Sequence, residues 1–159
     1  MGFARAYREG DEYDLAPRLR AADLAELRAA CGDRDPIEIL REGAERSVPS
    51  VTIIGNNGFV AGMFGVVPSL TDQTGVVWLL GSDELTKPPL SRQFIRECRS
   101  YLKLLEGRHR LLWNRMDERN VVHKRWLTWL GFEFYNRIPE YGPERLPFLE
   151  FKKCVNQSR

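Results

Sequence analysis

The sequence has few cysteines and no long apolar run. Its three cysteines, Cys31, Cys98 and Cys154, are too few and too scattered for a disulfide framework or a zinc cluster, so we expect a reducing compartment. No stretch approaches the roughly 18 apolar residues of a membrane helix, and the N-terminal residues lack the apolar core of a signal peptide. We therefore expect a protein with no membrane span.

An excess of charge of one sign is also lacking. Lysine and arginine together number 24, aspartate and glutamate 22, which gives a formal net charge of +2. This balance gives no sign of nonspecific nucleic-acid binding, and we expect no specific nucleic-acid partner. No Ser-His-Asp order, metal-ligand spacing or P-loop is present, which excludes the simplest enzyme signatures.

The apolar content is sufficient for one domain. The 159 residues are 43% hydrophobic, and a chain of this length buries roughly two thirds of its unfolded surface. Residues 1–13 are polar and without pattern, which predicts an N-terminal arm or an edge segment. We expect the domain to span residues 14–154 and a frayed tail to follow at 155–159.

The first half of the chain alternates between helical and strand patterns. Residues 15–20 alternate apolar and basic side chains around a proline, which predicts an edge strand. Two helices are expected next, the first beginning at Asp23 and the second at Asp35, which is followed by a proline. From Val51 the period changes to two around a Gly-Asn-Asn-Gly turn, which predicts a hairpin, and residues 76–80 form the most apolar strand candidate.

The second half contains a long helix and then a strand, helix and strand. Two adjacent prolines suit the first turn of the long helix, which ends before Gly107. Residues 111–134 predict a strand, a helix capped by Asn120 and ended by Gly131, and a second strand. The chain closes with an antiparallel pair of strands whose turn is expected at residues 139–147.

The resulting order is strand, two helices, three strands, helix, strand, helix and two strands. A helix that joins neighbouring strands of one sheet makes a right-handed crossover, so the strands on either side of the long helix should be parallel. The predicted fold is a single α/β domain with a central, mixed, twisted sheet of about six or seven strands and about four helices.

This order resembles that of the GNAT superfamily of acetyltransferases. Many of its members carry the pattern N-x-x-A-x-x-L-Y-x-x-x-G-F along the last helix, and residues 19–24, LRAADL, resemble the family's opening I-R-x-A-x-x-D-L with one residue fewer. The spacing of the helix pattern is kept by Asn120, Trp126, Leu127, Gly131 and Phe132.

A closer resemblance is to the small GNAT-like proteins of podophages, of the internal virion protein A type. It is carried by WLLGSDEL at 78–85, LWN at 112–114, N-x-x-H-x-R-W-L at 120–127, LGF at 130–132 and F-x-x-F at 148–151. This resemblance implies a phage-encoded protein in the virion or the host cytoplasm. Its partner would be a virion or bacterial host protein, and the protein itself a monomer or homodimer.

The superfamily resemblance also implies where acyl-CoA would bind. The pantetheine arm would lie between the two strands that flank the long helix, because strands that diverge leave backbone groups unpaired. The residues implied as contacts are Trp78, Leu79, Leu80, Lys87, Asn114 and Asn120. Asn120 is explained equally well as a plain helix cap.

Two departures from the family pattern favour a degenerate site. The glycine-rich phosphate loop, Q/R-x-x-G-x-G/A, is replaced by residues 83–90, DELTKPPL, whose two prolines have no amide to donate. The tyrosine that protonates the leaving thiolate in the family is replaced by Leu127, which has no proton to give.

Three residues are candidates for a proton acceptor. Asp83 and Glu84 follow the strand at 76–80, and His123 lies in the last helix, where it could titrate near neutral pH. Each also has a plain structural interpretation, the acids as solvated cap residues and His123 as a helix-surface side chain.

Two functions follow from these observations. The favoured one is a non-catalytic, virion-associated or host-protein-binding module that keeps the GNAT shell and needs no cofactor. The alternative is an acyl-CoA-dependent N-acetyltransferase that uses acetyl-CoA to modify a host protein or a small amine.

Overall fold

The computed structural model describes residues 3–155. Seven strands and five α-helices are found in this part of the chain. The strands are β1 (Ala4–Ala6), β2 (Ser50–Ile54), β3 (Val60–Pro68), β4 (Thr74–Gly81), β5 (Leu111–Asp117), β6 (Glu133–Tyr141) and β7 (Leu146–Cys154). The helices are α1 (Asp11–Leu15), α2 (Ala21–Cys31), α3 (Pro36–Arg46), α4 (Leu90–Glu106) and α5 (Val121–Trp129).

All seven strands form one mixed sheet in the order β1-β2-β3-β4-β5-β7-β6. Every neighbouring pair is antiparallel except β4 and β5, which are parallel and are joined by α4. The predicted α/β fold and its parallel pair are therefore confirmed. No helix among residues 3–155 is both long and apolar enough to cross a membrane.

Apolar clusters cover both faces of the sheet. The larger lies under α4 and α5 and includes Phe94, Leu102, Leu127 and Phe151. The smaller lies under the helices of the N-terminal third, and Leu40 of α3 is fully buried in it. Both faces are thus packed, as expected for the crossover helices of an α/β sheet.

The parallel pair is short, and this opens the sheet. β4 and β5 pair only over residues 74–76 and 111–113. Beyond these residues β4 continues to Gly81 beside β3, and β5 continues to Asp117 beside β7. We call the gap between residues 77–81 of β4 and 114–117 of β5 the splay.

The edge strand predicted at residues 15–20 is wrong. Leu15 ends α1, and a 3₁₀ turn follows at Ala16–Arg18. Leu15 and Leu19 are four residues apart and are both buried, so the apolar spacing here is that of a helical segment rather than of a strand. The edge strand is instead β1, which lies in the predicted arm and pairs with β2.

Two predicted boundaries are also corrected. The helix expected to begin at Asp23 begins at Ala21, so Asp23 lies inside its first turn, where the residue is buried. The last turn is shorter than expected, because β6 continues to Tyr141 and β7 begins at Leu146. Pro139 is tolerated within β6 because that strand is at the edge of the sheet. Most of the predicted tail lies outside the described residues.

Two buried acids hold α1 in place, Asp11 against the sheet and Glu12 against Tyr7 and Arg41 of α3. Asp11 accepts hydrogen bonds from Arg5 at 2.8 Å, from the amide of Arg8 and from Thr52 of β2, also at 2.8 Å. Burial alone would raise the pKa of Asp11, but these hydrogen bonds outweigh it and the pKa is lowered. Glu12 follows the same rule, because hydrogen bonds to its carboxylate outweigh burial and lower its pKa.

We predict that this attachment weakens in acid. A carboxyl whose pKa is lowered in the folded state stabilises the fold when it is ionised, so the free energy of unfolding should fall as the pH drops below the ordinary values of 3.8 and 4.5. Asp11→Asn should cost about 2 kcal/mol at neutral pH and flatten this pH dependence. Urea unfolding from pH 7 to pH 3 tests both points, and exposed Asp33→Asn is the control. An unchanged pH dependence in Asp11→Asn would contradict the assignment.

Candidate functional site

One residue of β4, Leu79, has a backbone amide and carbonyl that face the splay without a strand partner. The carbonyl oxygen of Val77 accepts a hydrogen bond from Asn114 Nδ2 at 2.7 Å, and the amide of Gly81 donates to Asp23 Oδ2 at 2.9 Å. Alternate residues of a strand point their backbone groups to the same side, so the amide and carbonyl of Leu79 face the splay as well. No strand pairs with Leu79 on this side in the described part of the chain.

Three cavities meet at Leu79 and His123. The first, of about 80 Å³, lies between α4, α5 and the sheet, and we call it the α4–α5 cavity. The second, of about 200 Å³, lies on the opposite face under α2 and α3, and we call it the α2–α3 cavity. A third, of about 10 Å³, lies at the end of the splay. Leu79 and His123 line all three, so they stand where the two faces of the sheet come together.

The α4–α5 cavity has apolar walls. Phe94 of α4 packs on Trp126 of α5 with ring centroids 4.7 Å apart, and Arg99 lies 4.4 Å from the ring centroid of Trp129. Cys98 is buried in the same wall, where burial raises the pKa of its thiol. A cavity of this kind accepts an extended apolar or amide-bearing group and repels a charged one.

Asp23 closes the far end of the splay. Its carboxylate accepts from the Gly81 amide and from Asn120 Nδ2 at 3.1 Å, and it forms an ion pair with Arg20 at 2.8 Å. The carboxylate therefore satisfies buried donors from β4 and from the start of α5 at once. This arrangement fixes α2 across the end of the diverging strands.

Glu26, one turn further along α2, stands beside His123. Its Oε1 accepts from the amide of Asp117 at 3.1 Å and lies 4.0 Å from Nδ1 of His123. The side chains of Glu26 and His123 are 14% and 13% exposed. An acid and a histidine thus share a confined space between α2 and α5.

Asn120 occupies the predicted cap position but makes no capping hydrogen bond. Its side chain is 2% exposed and turns toward α2, where Nδ2 donates to Asp23 and lies 3.4 Å from Glu26 Oε1. The interpretation of Asn120 as a plain helix cap is therefore wrong. Its contact with a pantetheine arm stays a prediction. Gly131, in contrast, has the positive φ of 95° expected at the end of α5.

Asp83 and Glu84 lie in the 3₁₀ turn Asp83–Thr86 and line none of the three cavities. Asp83 is exposed. Glu84 turns toward the β2–β3 hairpin, where Oε1 accepts from the amide of Asn56 at 3.1 Å and a side chain at Gly55 would overlap its carboxylate. Of the three predicted proton acceptors, the structure brings only His123 to the cavities.

The remaining predicted contacts fall into two groups. Trp78 and Leu79 line both large cavities, and Leu80 and Asn114 line the α2–α3 cavity. Lys87 is exposed at the end of the 3₁₀ turn before α4 and lines no cavity. The start of α4 is preceded by prolines, and its cap residue, Pro89, has no amide to offer a phosphate group.

Sequence reasoning missed Asp23 and Glu26 as members of the site. The sequence does contain a signal for them, because two acids three residues apart lie on one face of a helix. The same helix, α2, carries half-buried Leu24 and Leu27 and therefore packs on the domain. What the sequence could not supply is that this face covers the splay. No cluster of three or more histidine, cysteine or acidic side chains able to hold a metal ion occurs within residues 3–155.

No protein-family model matches the sequence, and no curated protein matches it. Solved structures do match. The ribosomal-protein-S18-alanine N-acetyltransferase of Escherichia coli has a TM-score of 0.69 at 13% identity, over 98% of this chain and 95% of that one. The protein yncA of Salmonella typhimurium, solved with its cofactor acetyl-CoA, has a TM-score of 0.68 at 14% identity, over 98% and 94%.

A third match is a GNAT-superfamily phosphinothricin acetyltransferase of Sinorhizobium meliloti, solved in complex with acetyl-CoA. Its TM-score is 0.66 at 12% identity, over 96% of this chain and 88% of that one. At such low identities the matches establish the fold alone. The chain has the fold of the GNAT-superfamily acetyltransferases.

We predict that Asp23→Ala destabilises the protein by about 2 to 3 kcal/mol, because it leaves the buried donors of Gly81 and Asn120 without an acceptor. Urea unfolding of the full chain measures the effect. Asp33→Ala, which removes an exposed acid just beyond the end of α2, should leave the free energy of unfolding unchanged. Equal stability of the two variants would contradict the assigned contacts.

Proposed function

We propose that this protein is an acyl-CoA-dependent N-acyltransferase. The observation that carries the proposal is the meeting of two cavities, from opposite faces of the sheet, at the backbone of Leu79 and the side chain of His123. An acyl donor and an amine that enter from opposite faces would meet beside these two residues. The fold shared with acetyltransferases solved with acetyl-CoA supports this assignment.

The described residues fit the pantetheine arm of acyl-CoA better than its pyrophosphate. The unpaired amide and carbonyl of Leu79 suit the peptide-like pantetheine arm, and the α4–α5 cavity suits its apolar stretch and the acyl group. The start of α4 lacks the glycine-rich amides that hold a pyrophosphate in the family. Contacts to that group would have to come from side chains such as Lys87.

The residues at the meeting point divide the chemistry between them. Acyl-CoA, when bound, supplies a thioester whose carbonyl carbon forms a bond to the amine nitrogen as its bond to sulfur breaks. His123 takes the proton that the amine must lose, and Glu26 stabilises the imidazolium that results. The amide of Leu79 donates to the carbonyl oxygen, where negative charge develops. Leu127 cannot protonate the departing sulfur, so that proton comes from solvent or from His123.

A second candidate is the non-catalytic module that binds a virion or host protein. It is supported by the missing phosphate loop and by the leucine at position 127. Exposed apolar side chains on α5, those of Val121, Val122 and Trp129, offer such a partner a surface. The podophage resemblance, and with it a place in the virion or the host cytoplasm, belongs to this candidate and stays a proposal.

Acetyl-CoA should stabilise the full chain against heat and urea. At one hundred times its dissociation constant the ligand should add about 2.7 kcal/mol to the free energy of unfolding. Desulfo-CoA keeps the pantetheine and phosphate groups and is the matched probe for the thioester end. No stabilisation by millimolar acetyl-CoA would refute the transferase proposal and favour the binding module.

His123→Ala should lower kcat/KM for acyl transfer by a factor of about 10² to 10⁴, the usual range for loss of a general base. Release of the CoA thiol measures the rate. The matched control is His109→Ala, because the chain has two histidines and His109 lies near Gly75, at the opposite end of β4 from Gly81. Equal losses in both variants, or none in His123→Ala, would remove His123 from the mechanism.

A further inference from the structure

We infer that the acceptor is a small primary monoamine with an apolar, ring-bearing body and no carboxylate. The inference rests on the proposed function, because it names the substrate of the same site. It comes from the charge, the walls and the volume of the α2–α3 cavity.

The cavity carries one acid that has no cationic side chain of its own. Glu26 lines it, and Glu26 Oε1 is held by the amide of Asp117. Glu26 Oε2 has no hydrogen-bond partner within residues 3–155, and no lysine or arginine of that range pairs with this carboxylate. A partly buried carboxylate with no lysine or arginine partner favours an ammonium group as its counter-ion. The amine is thereby held next to His123, which must receive its proton.

The one arginine in the cavity wall is already compensated. Arg115 Nε donates to Glu150 at 3.1 Å, and its guanidinium lies 5.1 Å from the ring centroid of Trp113 and 5.6 Å from that of Tyr141. The cavity therefore presents a net negative charge. A substrate carboxylate would be repelled by Glu26, and the charge of Arg115 is already balanced by Glu150.

The other walls are aromatic and aliphatic. Trp78 and Tyr141 line the cavity together with Ile39 and Phe148. The indole of Trp78 is fixed by its hydrogen bond to Ser47 Oγ at 2.7 Å and by packing against Gly43. Rigid aromatic walls next to an anion suit the apolar body of an organic amine.

The β6–β7 turn packs on the end of α2, next to the α2–α3 cavity. Gly142, with a positive φ of 72°, lies so close to α2 that a side chain there would overlap the carbonyl oxygen of Ala29. Gly32, just after α2, is in turn close to Pro143. The turn thus packs against the end of α2, and the neighbouring cavity, of about 200 Å³, has room for a small molecule rather than a protein segment.

Titration calorimetry with 2-phenylethylamine and L-phenylalanine tests the inference on the full chain without CoA. The two compounds share a ring and an amine and differ by one carboxylate. We expect 2-phenylethylamine to bind at least tenfold more tightly, and Glu26→Gln, which keeps an acceptor for the Asp117 amide, to weaken it at least tenfold. Glu118→Gln, on the exposed pair with Arg137, is the control and should not change binding. Equal binding of both compounds, or no effect of Glu26→Gln, overturns the inference.

Turnover separates this inference from the proposed function. CoA release with a short peptide but not with 2-phenylethylamine would overturn the monoamine assignment and leave acyl transfer in place. Binding of 2-phenylethylamine that depends on Glu26, without CoA release from acetyl-CoA, would refute the transferase and support the amine site.

Discussion

The divergence of β4 from β5 is the constraint on which the rest of the structure depends. A strand that leaves its neighbour exposes backbone groups that must find other partners. Here the carbonyl of Val77 is satisfied by Asn114 and the amide of Gly81 by Asp23, which leaves Leu79 facing the gap. The same divergence makes room for cavities on both faces and holds α2 across their junction. The packing of α2 and the two cavities therefore both follow from one backbone feature.

The polar residues near the gap divide into those that hold it open and those available to a ligand. Asp23 and Asn120 are buried and fully engaged with each other and with the surrounding elements, so their contribution is architectural. Glu26 and His123 are partly exposed and line the α2–α3 cavity, so a ligand there can reach them. The two acids, Asp23 and Glu26, lie three residues apart on one helix, so an architectural and an accessible acid are close neighbours.

Elements with a strong local signal could be predicted from the sequence. The hairpin, the long helix, the parallel pair and the left-handed Gly131 follow from short-range patterns, and all are present. Errors occurred where two periods fit the same residues, as at Leu15 and Leu19, and where long-range contacts decide. Asn120 has the sequence position of a cap, but a carboxylate 97 residues away takes its side chain. Similarly, nothing local distinguishes His123, which reaches the cavities, from Asp83, which does not.

The close packing of Gly142 on α2 has a consequence for how the protein folds. The turn and the helix belong to opposite ends of the sequence, and Asp23 and Asn120 are almost as far apart. Contacts between distant residues carry a loop-closure cost that local contacts do not. Hairpins and helices can therefore form from local contacts alone, whereas the junction of the cavities cannot. Only a chain that has brought its two ends together possesses that junction.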